Sequence, residues 1–285
     1  MSETLHTKSG GRDGIFLKNN SLVSFEEGLS LPSVRIKDAS VFKHLKINKY
    51  IPLRYLLVLL NEKWLILNKV TTWEDPYENF FLKEKFVQEG HKYDSYHVSV
   101  ENIAKSLYGM SWSMQEETDS LWRIYSPDKL SIRITTTVET LVETIASEDN
   151  KWSSWYGEVE YNTVEDIDKW LDNCLHVADL DQFVEKLGES FFIKRKAFEA
   201  EKEFRVVVNY YDKKFPISSF VCFRIDPKAF ISSYITDPRL NSYEHEAVKA
   251  ALVNAGADKK YISRSKLYDF IPRRVEMKYD PFKDL

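Results

Sequence analysis

The chain has 285 residues, 43% of them hydrophobic and 29% charged, with a formal net charge of −4. These values fit a globular protein of one large or two small domains, and they exclude a bulk electrostatic pull toward nucleic acid or anionic membrane. Two cysteines, Cys174 and Cys222, are too few for a disulfide framework or a zinc site of their own, and the six histidines show no metal-ligand spacing.

No run approaches the ~20 apolar residues of a membrane span. The first residues, with Glu3 and His6, lack a signal-peptide pattern. A cytoplasmic protein with no membrane partner and no bound metal is expected.

Residues 1–40 are polar and read as a flexible arm, with a short strand at Ile15–Leu17. From Ile47 the pattern tightens. Pro52 opens a helix over LRYLLVLLN, and WLILNK (Trp64–Lys69) reads as a buried strand. Pro76 forces a turn in WEDPYE, where Asp75 is placed to cap it, and a short aromatic helix follows. Residues 91–105 read as helical or irregular.

SLYGMSWSM (Ser106–Met114) is a strand with Ser111 and Ser113 on one face and Met110, Trp112 and Met114 on the other. QEETDSLWRIYS is a short helix capped by Thr118 or Asp119. LSIRITTT, WYGEVEYN, SFVCFRID and ISSYIT read as strands, and residues 164–197 as mainly helical. Asn241 and Glu244 form a capping box for a helix that stops at Gly256, and KKYISRSKL closes the sheet. Strands and helices mix without βαβ alternation. The fold expected is therefore α+β, one domain over residues 41–285 with a mixed, largely antiparallel sheet flanked by helices.

The most informative segment is FEAEKEFRVVVNYY (Phe198–Tyr211). Read as a strand, it puts Phe204, Val206 and Val208 on one face and Glu201, Glu203 and Arg205 on the other. That charged face is either a solvated ladder of ion pairs or a site walled by the flanking aromatics. Glu117, Trp122, Arg123 and Tyr125 share one short helix, with Arg123 suited to a phosphate or a carboxylate. The nine glycines are dispersed, so no Walker loop or dinucleotide fingerprint exists.

The blocks KYIPLRYLLVLLNEKWLILNKVTTWEDPYE, SWSMQEETDSLWRIYS with LSIRITT, and KRKAFEAEKEFRV occur in that order. They resemble the bacterial domain-of-unknown-function family 2971 over most of residues 47–268. That family often has an arginine after its first tyrosine, where Ile51 stands here. The resemblance implies no settled activity.

Arg54, Ser111-Trp112-Ser113 and Glu201-Lys202-Glu203 are also similar, in order, to ADP-ribosyltransferases of the Arg…Ser-x-Ser…Glu-x-Glu kind. That likeness implies an NAD-consuming enzyme, a toxin or phage-defence effector, with NAD as substrate. Glu203, Glu201 and Ser111 would then be catalytic. Tyr50, Arg54, Trp112, Ser113, Arg123 and Arg205 would bind the nucleotide, and the acceptor, protein or nucleic acid, is left open. Glu203→Gln would keep the fold and remove activity. Two alternatives stand beside it: a non-enzymatic interaction module, and a metal-dependent nuclease using Asp75, Glu78, Glu201 and Glu203.

Overall fold

The structure is a computed structural model and describes residues 44–84, 86–89, 95–98, 104–146, 152–174, 186–210 and 218–276. The N-terminal arm and its Ile15–Leu17 strand lie outside the described residues. The first elements in chain order are β1 (Lys46–Pro52), α1 (Leu53–Glu62), β2 (Trp64–Lys69), β3 (Phe86–Glu89), β4 (Ser95–Val98) and β5 (Leu107–Ser113). Then come α2 (Asp119–Tyr125), β6 (Ser131–Thr137), α3 (Val138–Ala146), β7 (Trp152–Glu158), β8 (Glu160–Asn162), α4 (Val164–Cys174) and β9 (Ile193–Arg195). The last are β10 (Glu203–Tyr210), β11 (Phe220–Arg224), α5 (Pro227–Phe230), β12 (Ser233–Thr236), α6 (Ser242–Asn254) and β13 (Ile262–Arg264).

Nine strands form one sheet, mostly antiparallel, with β12 and β13 the parallel pair. This is the α+β architecture expected. The sheet branches at β5. On one edge β5 pairs with β10, which continues to β7. On the other edge it pairs with two strands in turn. Asn48 of β1 sits opposite Ser113, while Asn68 and Lys69 of β2 sit opposite Gly109 and Tyr108. β1 leads on to β6, β12 and β13, and β2 leads to β11. Between the two contacts, Met110, Ser111 and Trp112 have no strand partner on that edge among the described residues. A slot therefore opens in the sheet beside Ser111.

Each face of the sheet packs on its own core. Phe204, Val206 and Val208 of β10 join Tyr108, Met110 and Trp112 of β5, together with α1, α3 and α6, in the larger cluster. The opposite face carries Val207 of β10 and Leu107 of β5, which meet Phe80, Phe81, Trp155, Trp170, Phe191 and Phe192. The period-2 alternation read in β5 and β10 is what assigns the residues to these two cores.

Helix ends follow local chemistry. Pro52 immediately precedes α1, which ends on Lys63 in the left-handed region at φ 59°. Thr118 is the N-cap of α2, accepting from the Leu121 N–H at 3.2 Å. Asn241 and Glu244 make the reciprocal capping box of α6, and Gly256 follows at φ 101°.

Three local readings change. Residues 95–98, expected to be helical or irregular, form a strand paired antiparallel with β3. WYGEVEYN divides into β7 and β8 at Val159, whose N–H donates to Glu203 O at 2.9 Å. The segment expected to be helical to 197 instead ends in β9 and a 3-10 helix, because Ile193–Arg195 pairs in parallel with β8.

Phe204 is fully buried in the larger core, while Tyr243 on α6 is 89% exposed. Phe204→Ala should cost about 3–5 kcal/mol through the cavity it leaves. Tyr243→Ala should stay within about 0.5 kcal/mol of wild type. Urea unfolding of both variants checks this.

Candidate functional site

The turn WEDPYE is built by Asp75. Its Oδ1 accepts from the Tyr77 N–H at 3.1 Å, and its backbone O accepts from the Glu78 N–H at 3.0 Å. The turn hands two carboxylates to the next layer. Asp75 takes Arg195 of β9 at 2.8 Å, and Glu78 turns inward toward β10.

Arg205 sits on β10 with no exposure and is bound by Glu78 and by Glu203 Oε2 at 2.6 Å, and it donates to Phe191 O at 2.8 Å. Its guanidinium lies over the Trp73 ring at 4.6 Å. Gly109 makes room for that ring. A Cβ there would come within 2.7 Å of the Trp73 indole and 3.0 Å of the Val206 carbonyl oxygen.

Lys194 of β9 is the common partner. Its ammonium meets Glu203 Oε1 at 2.6 Å and both Glu78 Oε1 and Glu201 Oε2 at 3.0 Å. Glu201 does not belong to the strand. It ends the 3-10 helix Lys196–Glu201, and Lys202, at φ 41°, turns the chain so that β10 begins at Glu203. The two glutamates therefore meet on Lys194 through a left-handed turn rather than through strand alternation. Tyr125 of α2 donates to Glu201 Oε2 at 2.9 Å, and the Glu203 N–H donates to Tyr161 Oη at 2.8 Å.

The ionisation of the two carboxyls is driven apart. Burial opposes charge on Glu203, but Arg205, a hydrogen bond with Glu201 and Lys194 outweigh it and hold the carboxyl well below the usual range. Burial, then the hydrogen bond to Glu203, pushes Glu201 up to about 7 against the pull of Lys194. Burial and the Glu201 charge push the Tyr125 hydroxyl far up, so it stays a donor.

This cluster floors a cleft of about 620 Å³. Trp73, Glu74 and Pro76 form part of one wall, and Ile124, Tyr125 and Phe198 border it elsewhere. A side recess of about 100 Å³ opens along β1 and β5 next to Glu201 and Glu203.

The sequence-derived residues divide accordingly. Ser111, Ser113, Glu201, Glu203 and Tyr50 all border the recess. Ser113 is directly opposite Glu203, and Ser111 opposite Arg205. Ser113 Oγ donates to Glu201 O at 2.7 Å and accepts from the Gln115 N–H at 3.1 Å, so it fixes the turn carrying Glu201. Tyr50 stacks on Tyr125 at 5.9 Å and meets Trp122 edge-on at 4.8 Å.

Four readings are corrected. Arg54 is exposed on α1, where it lies over Tyr55 at 4.7 Å and does not line the cleft. Arg123 is exposed and paired with Asp119 at 2.8 Å, also outside the cleft. Arg205 is sealed behind Glu203 and Glu78 and has no free face for a ligand. Trp112 borders the recess, but its ring packs against Phe230 in the larger core, on the opposite sheet face from Ser111. Trp73 and Tyr125 are the aromatic walls instead.

Lys194 and Lys49 were not among the expected site residues, and Glu78 was expected only as a ligand of the nuclease alternative. Lys194 sits in a basic run that reads as surface, and nothing in the sequence points a single lysine inward. Asp75, Glu78, Glu201 and Glu203, the set a metal-dependent nuclease would use, are each held by lysine or arginine. No group of three or more His, Cys, Asp or Glu side chains among the described residues is arranged to hold a metal ion. No helix among them is long and apolar enough to cross a membrane. Compared with family models, curated proteins and solved structures, the chain gives no match.

Removing one partner from a buried ion cluster leaves uncompensated charge and costs about 3–5 kcal/mol. Lys194→Met leaves three carboxylates facing one another. Its destabilisation should be largest near pH 8 and shrink toward pH 5, as the carboxyls freed of Lys194 take up protons. Denaturant melts across that range measure it. A loss independent of pH would mean the carboxylates do not rely on Lys194.

Proposed function

We propose that the cleft is the active site of an enzyme that transfers the ADP-ribosyl group of NAD, or hydrolyses NAD, in the manner of ADP-ribosyltransferases. One observation carries the reading: two carboxylates share one lysine at the cleft floor, and their ionisation is pushed in opposite directions. Such a split assigns a fixed charge to one group and proton traffic to the other. Glu203 stays ionised and faces the positive charge that develops on the ribose as nicotinamide leaves. Glu201 acts as base on the incoming water or acceptor hydroxyl. Trp73 and Tyr125 offer faces to the flat rings of the nucleotide. Arg195, 34% exposed on its side chain at the cleft edge, is the cation placed for a phosphate. A small-molecule nucleotide is then the first partner, and a protein or a nucleic acid the acceptor. Consumption of NAD suits a toxin or phage-defence effector.

Both oxygens of Glu203 already hold a cation of the chain itself. That favours a second reading, an interaction module in which the cluster only ties the fold together.

Glu203→Gln is a poorer test than the sequence implied. The amide would turn an N–H₂ group toward Lys194 or Arg205, so stability falls along with any activity. Glu201→Gln is the better variant, since Glu201 lies at the cleft edge of the cluster. Nicotinamide release from NAD should rise with pH through about 7, as Glu201 loses its proton. Glu201→Gln should abolish that rise and lower turnover about 10²–10⁴-fold, the range for a general base. The assay is run with and without cellular protein and RNA. No release under any condition sinks the enzyme reading and leaves the interaction module.

A further inference from the structure

Lys49 stands where the sheet branches. Strand alternation puts it with Ile47 and Ile51, toward the larger core, yet it borders both the recess and the main cleft. The slot between β1 and β2 explains this. Its amine lies beside Trp112, 5.9 Å from the ring centroid, and donates to Ser111 O at 2.7 Å on the unpaired edge of β5. That is one acceptor for an ammonium with three donors. No carboxylate among the described residues lies within ion-pair distance of it, whereas Lys194 nearby has three. A half-buried lysine whose amine has no counter-ion within ion-pair distance and opens on a cleft is in a setting that favours the neutral, nucleophilic form.

We propose that Lys49 is a nucleophilic amine that forms an imine with small carbonyl compounds entering the cleft. The amine lone pair attacks the carbonyl carbon and a C–N bond forms. A proton moves from nitrogen to oxygen, giving a carbinolamine. The C–O bond then breaks, the oxygen leaves as water, and a C=N bond remains. Amine and carbonyl yield imine and water, so no oxidant or reductant is needed. Glu201, which borders the same recess, is placed to hand a proton to the departing hydroxyl. The step needs no NAD and stands apart from the glycosyl reading.

Burial is what lowers the Lys49 amine, to about 8, with the Glu203 charge opposing. The other titratable groups bordering the recess and cleft are Tyr50 of β1, Tyr125 of α2, Glu74, Asp75 and Glu78 of the proline turn, Lys194 and Arg195 of β9, and Glu201. At pH 8 an amine of this kind is on the order of 100-fold more neutral than an ordinary lysine near 10.4.

The test is trapping with glyoxylate and borohydride, followed by peptide mapping. At pH 8 the reduced adduct should form on Lys49 at least about 10-fold faster than on the exposed Lys46 and Lys129, less than the gain in neutral amine because nucleophilicity falls with pKa. Its rate should level off above pH 8, while theirs keeps rising. Lys49→Arg keeps a donor for Ser111 O and should abolish the fast-forming adduct. Should that variant fail to fold, the wild-type map alone decides. Labelling that follows exposure, with Lys49 no faster than Lys46, overturns the proposal, whether or not the protein releases nicotinamide.

Discussion

Three carboxylates converge on the ammonium of Lys194, and the candidate site is organised around that contact. Glu78 arrives from the proline turn, Glu201 from the end of a 3-10 helix and Glu203 from the start of a central strand. Arg205 closes the arrangement from behind through Glu78 and Glu203. Taking several charges out of water is costly, and the mutual attraction offsets that only when lone pairs and protons are well matched. Here the matching is dense, with Tyr125, Tyr161 and the Phe191 carbonyl supplying further hydrogen bonds. Lys194, Glu201, Glu203 and Arg205 are close in sequence, but Glu78 is not, so the cluster also pins the proline turn against β9 and β10.

The same contact sets the electrostatics of the cleft. Burial first, and the hydrogen bond to Glu203 second, outweigh Lys194 at Glu201, which keeps a proton until near neutral pH. The aromatic walls sharpen this by excluding water. Trp73 covers Arg205, and its seat exists only because position 109 is glycine. Packing, charge and the absence of one methyl group thus act on a single point.

The strand pattern was readable because alternation is local. Phe204, Val206 and Val208 faced the core as their spacing implied, and the capping residues of α2 and α6 announced themselves. The strands at 95–98 and Ile193–Arg195 were not readable, since each depends on a partner that propensity does not see. At the site, the serines and glutamates stood out because they repeat at alternate positions. The arginines misled. A guanidinium reads as a ligand anchor in any sequence, but Arg54 and Arg123 lie outside the cleft and Arg205 is consumed by its own neighbours. Lys194 and Lys49 were invisible because only the third dimension turns them inward.

The branching of the sheet has a mechanical consequence. β5 serves as a common spine for two leaves, one running through β1 to β13 and the other through β2 to β11. Both leaves join that strand on the same edge through short contacts, one register pair for β1 and two for β2, so the core they share, rather than a continuous ladder, holds them together there. Beside Ser111 a lysine amine and a carbonyl oxygen, rather than a backbone ladder, tie β1 to β5, and a single side-chain contact is far easier to break than a row of paired strands.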